Sequence, residues 1–325
     1  MNTYLQIIQP EMALVEQELL SIVQSPVKLL SNIGEHLIKA GGKRLRPALY
    51  FLCAYDGAVK DKLVFEAKIL PMAASLELIH MATLVHDDVI DNATSRRGEP
   101  TANVYWNNRN TILAGDYFLA KALSYITPSA SKQEFNILTD MISELCEGEI
   151  NQQYNAFNPQ QSEADYEKRI FQKTANFISA VCELGALAGK YADVHIEALK
   201  QYGNYLGMAF QITDDILDII ATEEELGKPA GHDIGQGVVT LPVIRALETG
   251  AQCLKLKELI SNHDISGEQI KEALDIIRSG DAVEYSYAKV SAYLEKARAV
   301  IPDILSGEVR TALLNITEFV EIRRK

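Results

Sequence analysis

Residues 87–91 read Asp-Asp-Val-Ile-Asp, and residues 214–218 read Asp-Asp-Ile-Leu-Asp, each within an apolar, helix-forming stretch. Because an α-helix has about 3.6 residues per turn, the first and last aspartates of each motif share one helix face. Carboxylates on adjacent turns repel each other unless a cation or a proton lies between them. The two motifs therefore predict two helices that each present a pair of carboxylates to divalent cations.

A single aspartate-rich patch is usually a solvated helix face, but two copies of one spacing, both bounded by Leu, Ile and Val, are hard to explain in that way. Mg²⁺ prefers carboxylate oxygens together with substrate phosphates. Two such motifs facing each other would hold a diphosphate through the cations. Because one site needs both motifs, we expect a single domain over residues 1–325.

Apolar residues recur at intervals of three and four along much of the chain, which is the helical period. Clear examples are 65–90, 136–153 and 166–190, with breaks such as Gly41-Gly42 between periodic segments. Strand signals are almost absent. We predict an all-α helical bundle, in which a segment such as 178–189, apolar around most of its circumference, lies centrally.

The chain has 31 Lys and Arg residues against 44 Asp and Glu residues, a formal net charge of −13. This acidity argues against nucleic-acid binding, which needs a basic surface. The start has no basic segment typical of a secretory signal peptide, and Glu77, His80 and His86 interrupt the longest apolar run. We therefore expect no transmembrane segment and a cytoplasmic protein.

The cysteines are widely spaced and include no Cys-x-x-Cys pair; they are Cys53, Cys146, Cys182 and Cys253. In a chain of this length, such spacing is typical of buried thiols in a cytosolic protein rather than of a disulfide framework. We expect buried, unbridged cysteines.

Two basic clusters flank the first aspartate motif. Gly41-Gly42-Lys43-Arg44-Leu45-Arg46-Pro47 places three cations after a glycine pair, and Arg96-Arg97-Gly98 follows the motif. Glycine lets the backbone approach a ligand closely, and Lys and Arg suit a diphosphate. Either cluster alone is more often a solvated loop. In an acidic chain, beside metal-binding acids, both favour phosphate binding.

Together these motifs resemble those of the trans-polyprenyl diphosphate synthases, also called trans-prenyltransferases. The matching stretches are GGKRLRP at 41–47, ELIHMATLVHDDVIDNATSRRG at 77–98, GD at 115–116, KTA at 173–175, GMAFQITDDILD at 207–218, and LGKPAGHD followed by TLP within 226–242. The resemblance covers nearly the whole chain and implies the isoprenoid synthase fold, an all-α bundle around a deep central cavity. It also implies condensation of isopentenyl diphosphate with an allylic diphosphate to an all-trans polyprenyl diphosphate.

The resemblance further implies individual roles. Three Mg²⁺ ions, for which Mn²⁺ could substitute, would be bound by Asp87, Asp91 and Asp214, with support from Asp88, Asp215 and Asp218. Isopentenyl diphosphate would contact Lys43, Arg46, His80 and Arg97. The allylic diphosphate would contact Arg96, Lys173, Thr174, Gln211 and Lys228. The residues implied to act in catalysis are Asp87, Asp88, Asp91, Arg96, Lys173, Asp214 and Asp215.

One position departs from the family pattern. Many members carry a Lys two residues before the Thr-Leu-Pro at 240–242, where this chain has Val238. The segment 222–243 most resembles the catalytic subunit, component II, of the two-component hexaprenyl and heptaprenyl diphosphate synthases of Gram-positive bacteria, which also lack that Lys. This resemblance implies a C30 to C35 product for a quinone side chain, and a homodimer or a heterodimer with a small regulatory subunit.

Two residues that could limit product length are Ala82 and Thr83, which lie about one helical turn before Asp87. Bulky aromatic side chains there would close the pocket below the metal site. These small residues leave it open, so we expect a product longer than farnesyl. The alternative is that both residues merely pack against a neighbouring helix.

Several alternative functions share parts of this pattern. Within the family, the alternative is a geranylgeranyl diphosphate synthase. A class I terpene cyclase needs no second diphosphate site, which would leave GGKRLRP and Arg97 without a role. A non-catalytic subunit of a prenyltransferase complex would be expected to have a degraded aspartate motif, and both motifs are intact. A ferritin-like di-iron bundle needs two Glu-x-x-His motifs, and Glu77 to His80 is the single match.

Overall fold

The computed structural model of the protein describes residues 6–96, 98–221 and 230–322 and confirms the predicted all-α class. In this part of the chain, the helices of the first half are α1 (Gln9–Ile22), α2 (Lys28–Lys39), α3 (Leu45–Ala54), α4 (Lys62–Val64), α5 (Leu70–Ile90), α6 (Ala102–Ile126) and α7 (Lys132–Tyr154). Those that follow are α8 (Glu163–Ile170), α9 (Asn176–Ala188), α10 (Asp193–Ile220), α11 (His232–Gly235), α12 (Leu241–Thr249), α13 (Cys253–Ile260), α14 (Gly267–Arg278), α15 (Ala282–Ala299) and α16 (Gly307–Ile322).

Short irregular elements connect these helices. A 3₁₀ turn at Gln6–Ile8 and π-helical segments at Tyr55–Val59, Phe65–Ile69 and Phe171–Ala175 interrupt the α-helical pattern. Strands β1 (Ser95–Arg96) and β2 (Glu99–Pro100) form a small antiparallel hairpin after the first aspartate motif, where the sequence predicts a break.

The chain clusters into two compact units. The first comprises the described residues of Met1–Ile137, Val181–Glu197 and Pro302–Leu313, and it contains the first aspartate motif. The second comprises the described residues of Leu138–Ala180, Ala198–Ile301 and Leu314–Lys325, and it contains the second motif. The single functional domain over 1–325 stays a prediction.

Helical residues 62–90 form the most apolar run of the first unit. By length and a mean hydropathy of 1.4, Lys62–Ile90 is long and apolar enough to cross a membrane. The expectation that Glu77, His80 and His86 interrupt this run before it reaches spanning length is therefore wrong, because these three polar residues lower the mean hydropathy too little. Since 67% of its apolar window is buried inside the protein, the run has the surroundings of a core helix.

The cysteines only partly follow expectation. Cys53 and Cys182 are buried, but Cys146 is exposed on α7 and Cys253 is half-buried at the start of α13. The prediction of burial is wrong for these two because they lie on outward-facing helix positions. All four thiols are free, as predicted.

Two motif glycines mark close contacts between helices. A Cβ at Gly207 on α10 would lie 2.5 Å from the Cα of Ala175, and a Cβ at Gly115 on α6 would overlap the His86 ring. Neither position has room for a side chain. The close approach at Gly207 brings the Phe171–Ala175 segment against the helix that carries the second aspartate motif.

We predict that Gly207→Ala lowers the free energy of unfolding by about 1–3 kcal/mol, because the new methyl group must displace backbone. Gly267→Ala is the matched control, since a Cβ there meets nothing within 4 Å. Urea unfolding of both variants measures the difference. Equal stability of the two variants would contradict the close-contact argument.

Candidate active site

The first aspartate motif lies at the end of α5. The backbone N–H of Asp91 donates to the carbonyl oxygen of Asp87 at 2.8 Å, so the two residues are one helical turn apart, as the spacing predicts. Asp87 and Asp91 are half-buried, whereas Asp88 is only 1% exposed. The outer carboxylates are therefore accessible to a ligand, and the middle one is held inside the protein.

Arg96 of β1 is the partner of Asp88, with its Nε donating to Oδ1 at 2.7 Å. Burial raises the pKa of Asp88 above its ordinary value, and the opposing effect of Arg96 offsets only part of the rise. Arg96 thus has a role that the sequence did not reveal: it fixes the buried carboxylate beside the predicted metal ligands.

The three cations of the glycine-rich loop differ in their exposure to solvent. Gly41 and Gly42 have φ values of 71° and 155°, and Arg44 has a left-handed φ of 48°. Glycine adopts positive φ without strain, which explains the glycine pair. Lys43 is exposed and Arg46 half-buried, whereas Arg44 is 7% exposed.

Arg44 connects three elements inside the first unit. Its Nε donates to Glu16 Oε1 at 2.6 Å, and its Nη1 to Glu77 Oε1 at 2.9 Å. Its Nη2 donates to the carbonyl oxygen of Ile38 at 3.1 Å. Burial lowers the pKa of Arg44, but the two glutamates outweigh it and the net pKa is raised. Of the three cations in this loop, Arg44 is therefore structural, and Glu77 is its partner.

The two ion pairs of this region line one small cavity. Arg44, Glu77, Asp88 and Arg96 all border it, and its volume is about 30 Å³. A cavity of this size accommodates a water molecule when polar partners are present. The cavity is thus bordered by one residue of the glycine-rich loop, Arg44, and by residues of α5 that include Asp88 of the first aspartate motif.

α5 also carries the remaining predicted residues of this unit. His80 and Thr83 are half-buried, and Thr83 Oγ1 donates to the His80 carbonyl oxygen at 2.8 Å. Ala82 is buried. Thr83 shares the face of Asp87 because it lies four residues earlier, whereas Ala82 is rotated by about 140°. Helix geometry thus favours Thr83 as the residue below Asp87.

The second aspartate motif, on α10, shares the first motif's half-buried first aspartate and buried middle aspartate, but its last aspartate is buried. Asp214 is half-buried, whereas Asp215 and Asp218 are 4% and 3% exposed. Asp218 Oδ2 accepts a hydrogen bond from the backbone N–H of Asp233 at 3.0 Å. The more accessible carboxylate again belongs to a residue predicted to bind metal.

Both oxygens of Asp215 accept hydrogen bonds. The Tyr166 hydroxyl donates to Oδ2 at 2.7 Å, and Gln211 Nε2 donates to Oδ1 at 2.8 Å. Burial raises the pKa of Asp215 to about 6, against the opposing effects of these two donors and of the Arg169 charge. Asp215 is thus a fixed, internally bonded carboxylate.

The Lys-Thr-Ala motif lies on the π-helical segment Phe171–Ala175. π-Helical turns inside helices are frequent at functional sites. Thr174 Oγ1 donates to Gln211 Oε1 at 2.6 Å, which connects Thr174 through Gln211 to Asp215. Lys173 Nζ is paired with Glu149 Oε2 at 2.8 Å. The structure therefore brings three predicted site residues of the second unit into one hydrogen-bonded chain.

Two predicted diphosphate contacts, Arg97 and Lys228, lie outside the described residues. Val238 is half-buried, and its backbone N–H donates to the Asp233 carbonyl oxygen at 2.8 Å. The departure from the family pattern thus lies in the segment that also binds Asp218.

The carboxylates of the two motifs suit the ligand preferences of Mg²⁺. Within 6–96, 98–221 and 230–322, no three His, Cys, Asp or Glu side chains form a metal-binding group by themselves. Mg²⁺ usually takes one or two carboxylates and completes its coordination with water and substrate phosphates. The accessible carboxylates of Asp87, Asp91 and Asp214 are hard oxygen ligands and fit such an ion.

Sequence reasoning missed Tyr166, Arg169 and Glu149. Tyr166 and Arg169 lie seven and four residues before Lys173, a spacing that would place all three on one face of a regular α-helix. This spacing was the available signal. Their partners are far away in the sequence, so the sequence could not show what they bind.

Comparisons with known proteins show the family of this chain. A model of the family described as polyprenyl synthetase matches residues 27–277. Heptaprenyl diphosphate synthase component 2 of Bacillus subtilis (strain 168) is 42% identical over 310 residues, which is 95% of this chain and 87% of that protein.

Two solved structures are similar over nearly their whole length. Heptaprenyl diphosphate synthase from Staphylococcus aureus aligns with a TM-score of 0.91 and 35% identity, covering 98% of this chain and 99% of that one. Polyprenyl synthase from Caulobacter crescentus CB15, complexed with calcium and isoprenyl diphosphate, aligns with a TM-score of 0.92 and 31% identity, covering 99% and 97%. These likenesses confirm the predicted isoprenoid synthase fold.

We predict that Arg44→Met lowers the free energy of unfolding by about 3–5 kcal/mol, because it leaves the buried Glu77 carboxylate without its ion pair. The loss should be near the lower end of this range, because Glu16, the other partner of Arg44, is partly exposed and its carboxylate can be solvated by water. Arg44→Met/Glu77→Leu should recover part of the loss. Urea unfolding is the measurement, and a single variant as stable as the wild type would disprove the structural role of Arg44.

Proposed function

Because the chain belongs to the polyprenyl synthetase family and is a prenyltransferase, we propose that it extends an allylic diphosphate with isopentenyl diphosphate to an all-trans C30 to C35 product. One observation carries the proposal. In both motifs, residues predicted as metal ligands are accessible, while Asp88 and Asp215 are fixed inside the protein by Arg96, Tyr166 and Gln211. Such an arrangement suits cation binding better than a solvated surface.

We assign the divalent cations to Asp87, Asp91 and Asp214, with Mg²⁺ as the expected ion. The complex of a polyprenyl synthase with calcium and isoprenyl diphosphate supports the use of a divalent cation. When bound, Mg²⁺ would neutralise charge on the departing diphosphate. Both motifs must act on one diphosphate, which is why we propose one functional domain over residues 1–325.

The basic side chains divide between two substrates in this proposal. Lys43, Arg46 and His80, with Arg97, would hold isopentenyl diphosphate. Lys173, Thr174 and Gln211, with Arg96 and Lys228, would hold the allylic diphosphate. The exposed position of Lys43 and the π-helical position of Lys173 support these assignments.

The reaction needs no protein nucleophile. The allylic C–O bond breaks, and its electron pair leaves with the diphosphate. The isopentenyl double bond attacks the allylic carbon to form a new C–C bond, and the adjacent proton passes to the released diphosphate. The protein's part is to position both diphosphates and to stabilise the negative charge that develops.

The relatives support a long product and a second subunit. Both the Bacillus subtilis and Staphylococcus aureus proteins are named heptaprenyl diphosphate synthases, and the former is a component 2. We propose that the product is a quinone side-chain precursor, and that this chain forms a homodimer or pairs with a small regulatory subunit.

Exposed apolar side chains on α6 support an assembly. Val104 and Tyr105 lie before a non-helical residue of this helix, Asn107, and Ile112 and Leu113 lie after it; all four apolar side chains are exposed, with Leu113 at 55%. Obligate interfaces are typically the hydrophobic ones. We propose that these side chains are covered in the assembled enzyme. A cytoplasmic location fits a protein whose most apolar helix is largely buried in its own core.

We predict that Asp87→Asn and Asp214→Asn each lower kcat by about 10²–10³-fold, the usual loss for one charge-stabilising group. Circular dichroism should remain that of the wild type, because both side chains are half-buried. Asp264→Asn, at an exposed position, is the control and should retain full turnover. Turnover within a few-fold of the wild type in either test variant would refute the metal assignment.

Thr83→Phe is predicted to shorten the product, because the ring would lie one turn below Asp87 on the same helix face. Ala82→Phe introduces the same ring on another face and is the matched comparison. Chromatographic sizing of the dephosphorylated products distinguishes them. An unchanged product distribution in both variants would show that neither position limits chain growth.

A further inference from the structure

α8 contains two buried polar residues that are not among the proposed ligands of the cations or of the diphosphates. Tyr166 is fully buried, and Arg169 is 6% exposed. Burying a guanidinium costs several kcal/mol unless its donors are satisfied and its charge is balanced. A buried arginine on a helix of eight residues therefore needs a reason, and its surroundings supply one.

Tyr166 acts directly on the second aspartate motif. Its hydroxyl donates to Asp215 Oδ2 at 2.7 Å, opposite the Gln211 donor on Oδ1. With both oxygens bonded, the Asp215 carboxylate has a fixed orientation. The neighbouring Asp214 thereby remains the accessible carboxylate of the pair.

Arg169 acts on the segment that follows α11. Its Nη2 donates to the carbonyl oxygen of Val239 at 2.6 Å, and its Nη1 donates to Gln161 Oε1. Asp233, whose backbone N–H binds Asp218, lies within α11, and its carbonyl oxygen accepts from the backbone N–H of Val238, next to Val239. Arg169 thus holds the backbone that in turn holds the last aspartate of the motif.

The charge of Arg169 also balances this acidic region. Its hydrogen bonds to Gln161 and Val239 go to uncharged oxygens, so neither of these two contacts neutralises the positive charge of the guanidinium. Burial lowers the pKa of Arg169, while attraction to Asp215 and Asp233 opposes that effect. The guanidinium also lies 5.4 Å from the centre of the Tyr166 ring, which fixes the two residues relative to each other.

We propose that Tyr166 and Arg169 are positioning residues of the second aspartate motif. Tyr166 fixes Asp215, and Arg169 supplies a permanent positive charge behind the carboxylates and anchors the segment that binds Asp218. The motif is then preorganised before a cation arrives. This inference rests on the proposed role of Asp214 in metal binding.

The test measures cation binding without turnover. The melting temperature of the purified full chain is followed during Mg²⁺ titration at a fixed concentration of inorganic diphosphate. Tyr166→Phe and Arg169→Met should each raise the Mg²⁺ concentration for half of the full shift by about 10-fold or more, the usual effect of losing a residue that supports a metal ligand. Arg169→Lys keeps the charge and should lie between Arg169→Met and the wild type.

Two matched controls separate positioning from general stability. Tyr50→Phe removes the hydroxyl of another fully buried tyrosine, and Arg298→Met removes an arginine that binds Thr317 and Glu321. Both can lower the melting temperature, but neither should change the Mg²⁺ concentration at half shift. Tyr166→Phe and Arg169→Lys also keep the proposal testable if Arg169→Met fails to fold.

Asp214→Asn distinguishes failure of this inference from failure of the proposed function. If Asp214→Asn loses the Mg²⁺ effect while Tyr166→Phe and Arg169→Met stay within two-fold of the wild type, the positioning role alone is wrong. If Asp214→Asn itself keeps the wild-type Mg²⁺ dependence, the metal assignment is wrong, and the inference that rests on it is withdrawn as well.

Discussion

The cost of burying carboxylates in an apolar interior is the constraint on which this structure depends. Burial is the largest cause of the raised pKa of both Asp88 and Asp215, and repulsion by a neighbouring aspartate adds to it. The protein meets this cost residue by residue. Asp88 is paired with Arg96, and both oxygens of Asp215 accept hydrogen bonds, so each buried carboxylate has its partners inside the protein.

Several contacts between residues that are distant in the sequence follow from this constraint. The tight approach at Gly207 and the π-helical turn at Phe171–Ala175 place Thr174 where it can reach Gln211. The left-handed Arg44 enters the interior and pairs with Glu77 on the helix of the first motif, while Lys43 stays exposed. Each unit thus contains a buried polar network that includes a residue of the helix carrying its aspartate motif.

The sequence predicted those features that depend on local periodicity or on a motif. The all-α class, the helices around both motifs and the one-turn relation of Asp87 and Asp91 follow from spacing alone. The partners of Arg44 and Tyr166 could not be predicted, because they are brought close by folding from positions distant in the sequence. The outward position of Cys146 was missed because composition does not reveal which helix face is buried.

The most direct test of the account is product analysis of the purified chain after removal of divalent cations. The chain is supplied with isopentenyl diphosphate and farnesyl diphosphate, with and without Mg²⁺, alone and with the small subunit of a two-component synthase. The account predicts no extension without the cation, and with it stepwise extension to C30 or C35 in at least one of the two assemblies. Absence of any prenyl diphosphate longer than the primer in both assemblies, with Mg²⁺ present, would contradict it.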